Sequence, residues 1–509
     1  MSVLTLPTCR HDLCEFCALL AGRTARVPRM TASLLVYLGI LVINVVALGL
    51  VPERRRPTSA MAWLLLIFFV PGIGLLLFLL LGSPYVPKKR REEQRVAGEL
   101  IRSGLATVPA LPASPDRPGW LDSAMVLNRR LGWLPSTENN TAVLFGDYEE
   151  SVRAKAELVL TAERFVHVEY FMMCRDSTTE AFFAALLEVA GRGVKVRVLF
   201  DHMSTFGLPG HKELLATFDR AGIEWRPMLP IQPLKGEWRR PDLRNHRKIV
   251  VVDGRTGFVG SQNMIDSSYH NKKHEAAGRH WHELTTRVEG PVVQTLNLVF
   301  ASDWFIETNE RLVDWVQPVP FPDGHGDLTC QIVPSGPGFP DENNLRLFNT
   351  LIYGAQHRLS ITSPYFVPDD SLLYAITTAA QRGVAVELFV SERGEQFMVS
   401  HAQCSYYRFL LEAGVRIFQY PYPAVLHAKH FSVDDHTAVI GSSNMDIRSF
   451  NLDFEVSMMC TGPGFVTAMR EVEDGYRAVS KELTLQEWNK RSLSQRWLDN
   501  VMRLTSAVQ

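Results

Sequence analysis

One pattern of six residues occurs twice and limits what this chain can be. His246, Lys248, Asp253, Gly260, Ser261 and Asn263 recur as His427, Lys429, Asp434, Gly441, Ser442 and Asn444, each 181 positions later. The surroundings repeat as well. A strand-like Phe165–Phe171, an apolar helix over Thr179–Ala190, Arg192-Gly193-Val194 and a strand from Lys195 are matched by Leu359–Phe366, a helix over Ser371–Gln381, Arg382-Gly383-Val384 and a strand from Ala385. The offset drifts from 190 at Gly193/Gly383 to 172 at the Gly-Pro pairs Gly290-Pro291 and Gly462-Pro463, so the repeat is a duplicated domain with trimmed loops, not a short solenoid. Strand–helix–strand order predicts layered α/β domains with helices on a sheet. The tail from Phe465 to Val508 reads as interrupted amphipathic helix.

The spacing carries chemical meaning. Alternate side chains of a strand share a face, so His and Lys two apart are expected to point the same way. Asp253-Gly254 predicts a turn, and Gly260 and Gly441 are expected to let backbone approach a ligand. Ser261, Asn263, Ser442 and Asn444 add uncharged donors, read as phosphate-binding. Each copy therefore offers one imidazole, one cation and a donor pair, which is half of a phosphodiester site. Joined about a pseudo-twofold, the copies supply a neutral imidazole to attack phosphorus and a protonated one for the leaving alkoxide. Lys248 and Lys429 would hold the non-bridging oxygens. Asp253 and Asp434 complete the catalytic candidates, although their place at a turn favours backbone anchoring. No metal is expected, because no carboxylate cluster suggests one. Tyr170 and Tyr365 are read as equivalent, either lining an entrance or packing in the core. His270, His274, His280, His282, His430 and His436 are expected at the surface or behind the reacting groups.

Two apolar runs precede the repeat, Ala32–Val51 and Ala60–Leu81, each long enough to cross a hydrocarbon core of about 30 Å. Pro71, Gly72 and Gly74 predict a kink or a re-entrant path in the second. Arg10, Arg23, Arg26 and Arg29 before the runs and Lys88–Arg91 with Arg95 after them outnumber Arg54, Arg55 and Arg56 between them, which favours a cytoplasmic location for both outer flanks. The domain reading is 1–29 extension, 30–95 membrane anchor, 96–138 Pro-rich linker, 139–318 first repeat and 319–509 second repeat. Of 509 residues with net charge −1, residues 1–95 alone carry +7, leaving −8 for the rest. A nuclease needs a basic face for phosphates, so nucleic acid is not the expected partner. Seven scattered cysteines give no disulfide framework, and Cys9, Cys14 and Cys17 with His11 fit no strong metal pattern.

The paired HxKxxxxD motifs followed by GSxxN resemble the phospholipase D superfamily. Within it, the two-run leader with Glu53–Trp63, the Arg244-Asn245-His246-Arg247-Lys248 context and Ser363–Pro368 are similar to bacterial cardiolipin synthases. The resemblance implies a duplicated phospholipase D-like α/β fold and a cell-membrane enzyme. Two phosphatidylglycerol molecules would give cardiolipin and glycerol through a phosphohistidine, without a cofactor. A phospholipase D, or a transferase using another alcohol, is the alternative. It also implies His246 as nucleophile, His427 as acid/base, and an acidic residue after each motif that orients its histidine, mapped to Glu283 and Glu455. The sequence itself is symmetric between the histidines and leaves the oligomeric state open.

Overall fold

The computed structural model describes residues 32–53, 57–82 and 117–506 except 232–239, 323 and 340, together with scattered positions between 92 and 114. The Cys9–Cys17 cluster, Arg54–Arg56 and the Lys88–Arg91 run lie outside the described residues. The chain divides into two units, 1–84 and 85–509.

In the first unit, Ala32–Leu50 is one helix of 19 residues, a rise of about 28 Å. The second apolar run is not one element. It breaks into Pro57–Phe69 and Pro71–Leu77, followed by a wider π turn over Phe78–Gly82. Pro71 has no N–H to continue the preceding helix but fits the first turn of a new one. Ala47, Val51, Ala60 and Ile67 pack together, and Trp63 meets Phe78 edge-on at 5.6 Å. Among the described residues, no helix is long and apolar enough to cross a membrane.

Among the described residues, the second unit is organised by one mixed sheet of 16 strands, fifteen along one path and Arg244–Asn245 paired beside it with Asp453–Thr461. From the outer edge of the first repeat inward the order is Glu224–Met228, Lys195–Asp201, Phe165–Tyr170, Ile249–Val252, Thr256–Gly260, Thr285–Glu289 and Thr137–Phe145. The second repeat mirrors it outward: Leu328–Ser335, Asp453–Thr461, Thr437–Gly441, His430–Val433, Arg358–Thr362, Ala385–Ser391 and Arg416–Tyr420, with Lys481–Leu483 added at the edge. The outer three strands of the first repeat run parallel, as do Arg358–Thr362, Ala385–Ser391 and Arg416–Tyr420 in the second, which needs helical crossovers such as Glu180–Gly191 and Asp370–Gln381. Thr137–Phe145 pairs antiparallel with Leu328–Ser335, so the sheet is continuous across the join. Ile249, Val259, Leu284, Val288, Ile332, Ile440, Val456 and Met458 form a core shared by both repeats. Each such side chain contributes about 1.5–3 kcal/mol by leaving water.

Part of the stretch read as a linker is folded. Gly119–Gly132 is a helix whose Leu121, Ala124 and Met125 pack with Leu347, Phe348 and Leu351 of the second repeat. The tail forms helices Pro463–Val479, Leu485–Asn489 and Leu493–Arg503, interrupted by the edge strand.

Candidate active site

The site is built by two very short strand pairs that cross between the repeats. Arg244–Asn245 runs parallel to Asp453–Phe454, pairing Arg244 with Asp453 and Asn245 with Phe454. Val425–Leu426 runs parallel to Trp281–His282 in the same way. The next residues along are His246 beside Glu455 and His427 beside Glu283. The ladders extend one step further, as His246 N–H donates to Phe454 O at 2.9 Å and His427 N–H to His282 O at 2.7 Å. Each glutamate therefore orients the histidine of the other repeat, not the one whose motif it follows. His246 Nδ1 is 3.0 Å from Glu455 Oε1 and 3.0 Å from Ser442 O, and His427 Nδ1 is 2.7 Å from Glu283 Oε1. The Ser442 carbonyl can only accept, so Nδ1 of His246 carries a proton and its Nε2 holds the free lone pair in the neutral ring.

Neither histidine nor its lysine lies on a regular strand, because His246–Lys248 and His427–Lys429 precede Ile249–Val252 and His430–Val433. Each lysine instead folds back on its own histidine: Lys248 Nζ donates to His246 O at 2.5 Å and Lys429 Nζ to His427 O at 2.6 Å. All four residues are buried.

The serines and glycines work between strands. Ser261 Oγ bridges the backbone of Leu284, 3.1 Å from its carbonyl and 3.0 Å from its N–H. Ser442 Oγ accepts from Val456 N–H at 3.0 Å and donates to Glu455 Oε2. The two serines thus clamp the backbone next to each glutamate, at Leu284 and Val456, where phosphate contact was expected. A Cβ on Gly260 would lie 2.5 Å from Leu284 O, and one on Gly441 2.4 Å from Val456 O. What comes close at these glycines is the neighbouring strand rather than a ligand. Asn263 Nδ2 donates to Tyr269 OH at 2.9 Å, and Asn444 is buried with its Oδ1 unpaired.

Asp253 and Asp434 stand apart from the histidines. Asp253, with φ +55°, accepts the backbone N–H groups of Glu163, Arg164 and Phe165, each at 2.8 Å. Asp434, with φ +48°, accepts those of Gln356, His357 and Arg358 at 2.7–2.9 Å. Both carboxylates are used to tie the turn to the start of a central strand, which removes them from the catalytic set.

Electrostatics break the symmetry of the site. Burial would raise Glu283, but the His427 ring, Lys429 and the Ser261 hydroxyl outweigh it and hold the carboxyl below its usual range. Glu455 goes the other way: burial pushes it up to about 7 against the pull of Lys248, Ser442 and Ser449. Its neighbours Asp453 and Asp446 are raised by burial to about 8 and about 6, so three carboxyls compete for charge. Burial, with Lys248 and Lys429 nearby, drives His246 well below its ordinary value, and the charge of His427 adds to the effect. Burial also lowers His427, while the Glu283 charge resists. The lysines are brought down by burial, Lys248 to about 7 and Lys429 to about 8, with Glu455 and Glu283 respectively opposing.

Some contributors escape a motif search. Tyr269 OH donates to Glu283 Oε1 at 2.9 Å and stacks on Trp281 at 4.7 Å. At the same offset the second repeat has Phe450, which lacks the hydroxyl, and a repeat-against-repeat comparison would have flagged that difference. Phe171 meets the His246 ring edge-on at 4.9 Å, and Tyr365 meets His427 at 6.2 Å. The expected equivalence of Tyr170 and Tyr365 fails on register: Glu169 faces Ile249 and Thr362 faces His430, so Tyr170 corresponds to Ser363. Tyr170 is buried in the first repeat's core. His430, expected at the surface or behind the reacting groups, is buried next to Lys429 in the chain. Arg247 pairs with Asp303 and donates to Glu455 O at 3.1 Å, fixing the glutamate's strand from behind.

Among the described residues, one group has the makeup of a metal site: Cys174, Asp176 and His270, with ligand atoms within 4.8 Å. Asp176 is already engaged, accepting from the N–H groups of Thr178, Thr179 and Asp266 and meeting His270 Nε2 at 2.9 Å. None of the four central His and Lys residues belongs to this group.

Comparison with known proteins agrees with this architecture. The family described as "Cardiolipin synthase, PLD-like domain" matches residues 157–304 and 348–474, one segment in each repeat, and "Phospholipase_D-nuclease N-terminal" matches 36–83. Cardiolipin synthase A of Pectobacterium carotovorum is 32% identical over 482 residues, covering 93% of this chain and 98% of that protein. Cardiolipin synthase A of Proteus mirabilis is 32% identical over 471 residues, covering 91% and 95%. The crystal structure of a phosphatidylserine synthase from Haemophilus influenzae shares the fold, with TM-score 0.57 at 16% identity over 75% of this chain and 99% of that one. A fold built twice, with its strand pairs crossed at the histidines, and a match along nearly the whole length place this chain in the bacterial cardiolipin synthase family of the phospholipase D superfamily.

Proposed function

We propose that this membrane-associated enzyme transfers a phosphatidyl group from one phosphatidylglycerol to the hydroxyl of another, forming cardiolipin and releasing glycerol. The observation that carries this reading is the pair of crossed His–Glu contacts, which gives two buried imidazoles with fixed Nδ1 atoms beside two lysines. Relatives matching over nine-tenths of the chain are named for the same product.

In this reading His246 Nε2 attacks phosphorus, and the bond to the headgroup glycerol oxygen breaks. His427 gives its Nε2 proton to that oxygen, and glycerol leaves. The acceptor's hydroxyl then passes its proton back to His427 and attacks phosphorus, the P–N bond breaks and cardiolipin departs. The division of labour follows from the glutamates. An ionised Glu283 supports a protonated His427, whereas Glu455, near neutrality, leaves His246 uncharged and nucleophilic. Lys248 and Lys429 offset the charge that builds on the phosphoryl oxygens. The two apolar segments act as a multi-pass or re-entrant anchor, with the catalytic unit on the cytoplasmic side, as the flanking charges favour.

Product analysis tests the reading. Detergent-purified enzyme given phosphatidylglycerol alone is expected to form cardiolipin and free glycerol in equal amounts. Phosphatidic acid as the only lipid product contradicts it.

A further inference from the structure

Both repeats expose large apolar side chains on the first helix after the second strand of the parallel set. After Lys195–Asp201, the turn of helix His202–Phe206 exposes Met203 and Phe206, the latter 60% exposed. After Ala385–Ser391, helix Phe397–Glu412 begins with exposed Phe397, at 62%, and Met398. Each segment is one step from a catalytic candidate. Thr205 Oγ1 donates to Phe171 O at 3.2 Å, and the Phe171 ring packs on His246. Tyr365 OH donates to Glu395, and the Tyr365 ring packs near His427. The apolar residues of each repeat are therefore tied, through one intervening aromatic residue, to the histidine of that repeat.

The second repeat's group is broader. Helix Leu493–Arg503 runs parallel to Phe397–Glu412, since Asp499 meets His401 at 2.7 Å and Arg503 lies 4.7 Å over Tyr406. One turn earlier, Phe397 falls level with the stretch between Leu493 and Trp497, which are 81% and 67% exposed. Cations accompany these side chains. Arg393 is exposed beside Tyr422, and Lys272 and Lys273 are exposed on a helix whose His274 feels the charge of Glu395. Paired aromatic and thioether side chains with neighbouring cations match the chemistry of an anionic bilayer surface, apolar below and negative at the headgroups.

We propose that this lip docks the catalytic unit on an anionic lipid bilayer, with Met203 and Phe206 entering from one side of the site and Phe397, Met398 and Trp497 from the other. The inference rests on the lipid substrate proposed above and adds the surface through which the substrate arrives. A lipid phosphate then reaches the histidines without its acyl chains being exposed to water.

The test compares the full-length F206S/F397S variant with the parent on two forms of one substrate: phosphatidylglycerol in vesicles, and short-chain phosphatidylglycerol below its micelle concentration. Turnover on vesicles is expected to fall at least about tenfold while turnover on monodisperse substrate stays within about twofold, and F206W/F397W is expected to restore the vesicle rate. Equal losses on both substrates overturn the proposal, as do an unchanged vesicle rate and a change in sedimentation that marks the lip as a contact between copies. A parent enzyme that makes no cardiolipin from either form counts against the proposed reaction and not against the docking surface.

Discussion

Glu283 and Glu455 hold equivalent histidines in unequal electrostatic states, and their amide replacements separate the two. Glu283→Gln removes a carboxylate that supports the proton on His427, so kcat is expected to fall by about 10²–10⁴. Glu455→Gln replaces a group already near neutrality, and the expected loss is about tenfold. Equal losses in a kcat assay contradict the asymmetry. The lysines make binding pH-dependent with a definite sign. Their pKa values lie below the usual lysine value, at about 7 and about 8, so they lose charge as pH rises through that window. Glu455, at about 7, gains negative charge across the same range, and Asp453, at about 8, follows it. A phosphate mimic such as tungstate is therefore expected to bind at least about tenfold more weakly at pH 9 than at pH 6.5 by calorimetry. Unchanged or tighter binding at pH 9 contradicts the buried, depressed lysines. His246, Lys248, His427 and Lys429 were legible in the sequence because their spacing repeats. The functions of Ser261 and Ser442 were not, since a serine after glycine reads alike whether its hydroxyl faces a ligand or the next strand.

The elements explain why the crossed pairing is obligatory. Two-residue strands are too short to leave a mark in hydrophobic periodicity, and their partners lie 144 and 209 residues away, so no local pattern announces them. Their register alone decides which glutamate meets which histidine. Gly260 and Gly441 keep the supporting strands close, which yields a prediction at this scale. Gly260→Ala or Gly441→Ala puts a methyl against neighbouring backbone that cannot swing away, at an expected cost of about 1–3 kcal/mol in stability, read as a lowered melting temperature together with lost turnover. A variant of either kind with parental melting temperature and activity would show that these strands have room to part. The long helices and central strands were legible from periodicity. The helix Gly119–Gly132 was missed because the prolines before it resemble those of a linker, while its apolar face is answered only by Leu347, Phe348 and Leu351 far along the chain.

For the whole molecule, duplication gives one sheet with two mirrored halves and a shared core, and the reacting groups gather where the halves exchange strands. Neither repeat holds a complete histidine–glutamate pair on its own, so catalysis belongs to the assembled dyad. The drifting offset between repeats revealed the duplication in advance. Only three-dimensional pairing could show that the halves complete one another crosswise, and only burial could show that they are electrostatically unequal. The most direct test of the account is mass-spectrometric mapping of the covalent intermediate in the His427→Ala enzyme after brief exposure to phosphatidylglycerol. Because that variant retains the nucleophile but lacks the acid and base that complete turnover, a phosphatidyl group is expected on His246. An adduct that forms on His427 in the His246→Ala enzyme, with His246 unmodified in His427→Ala, contradicts the account.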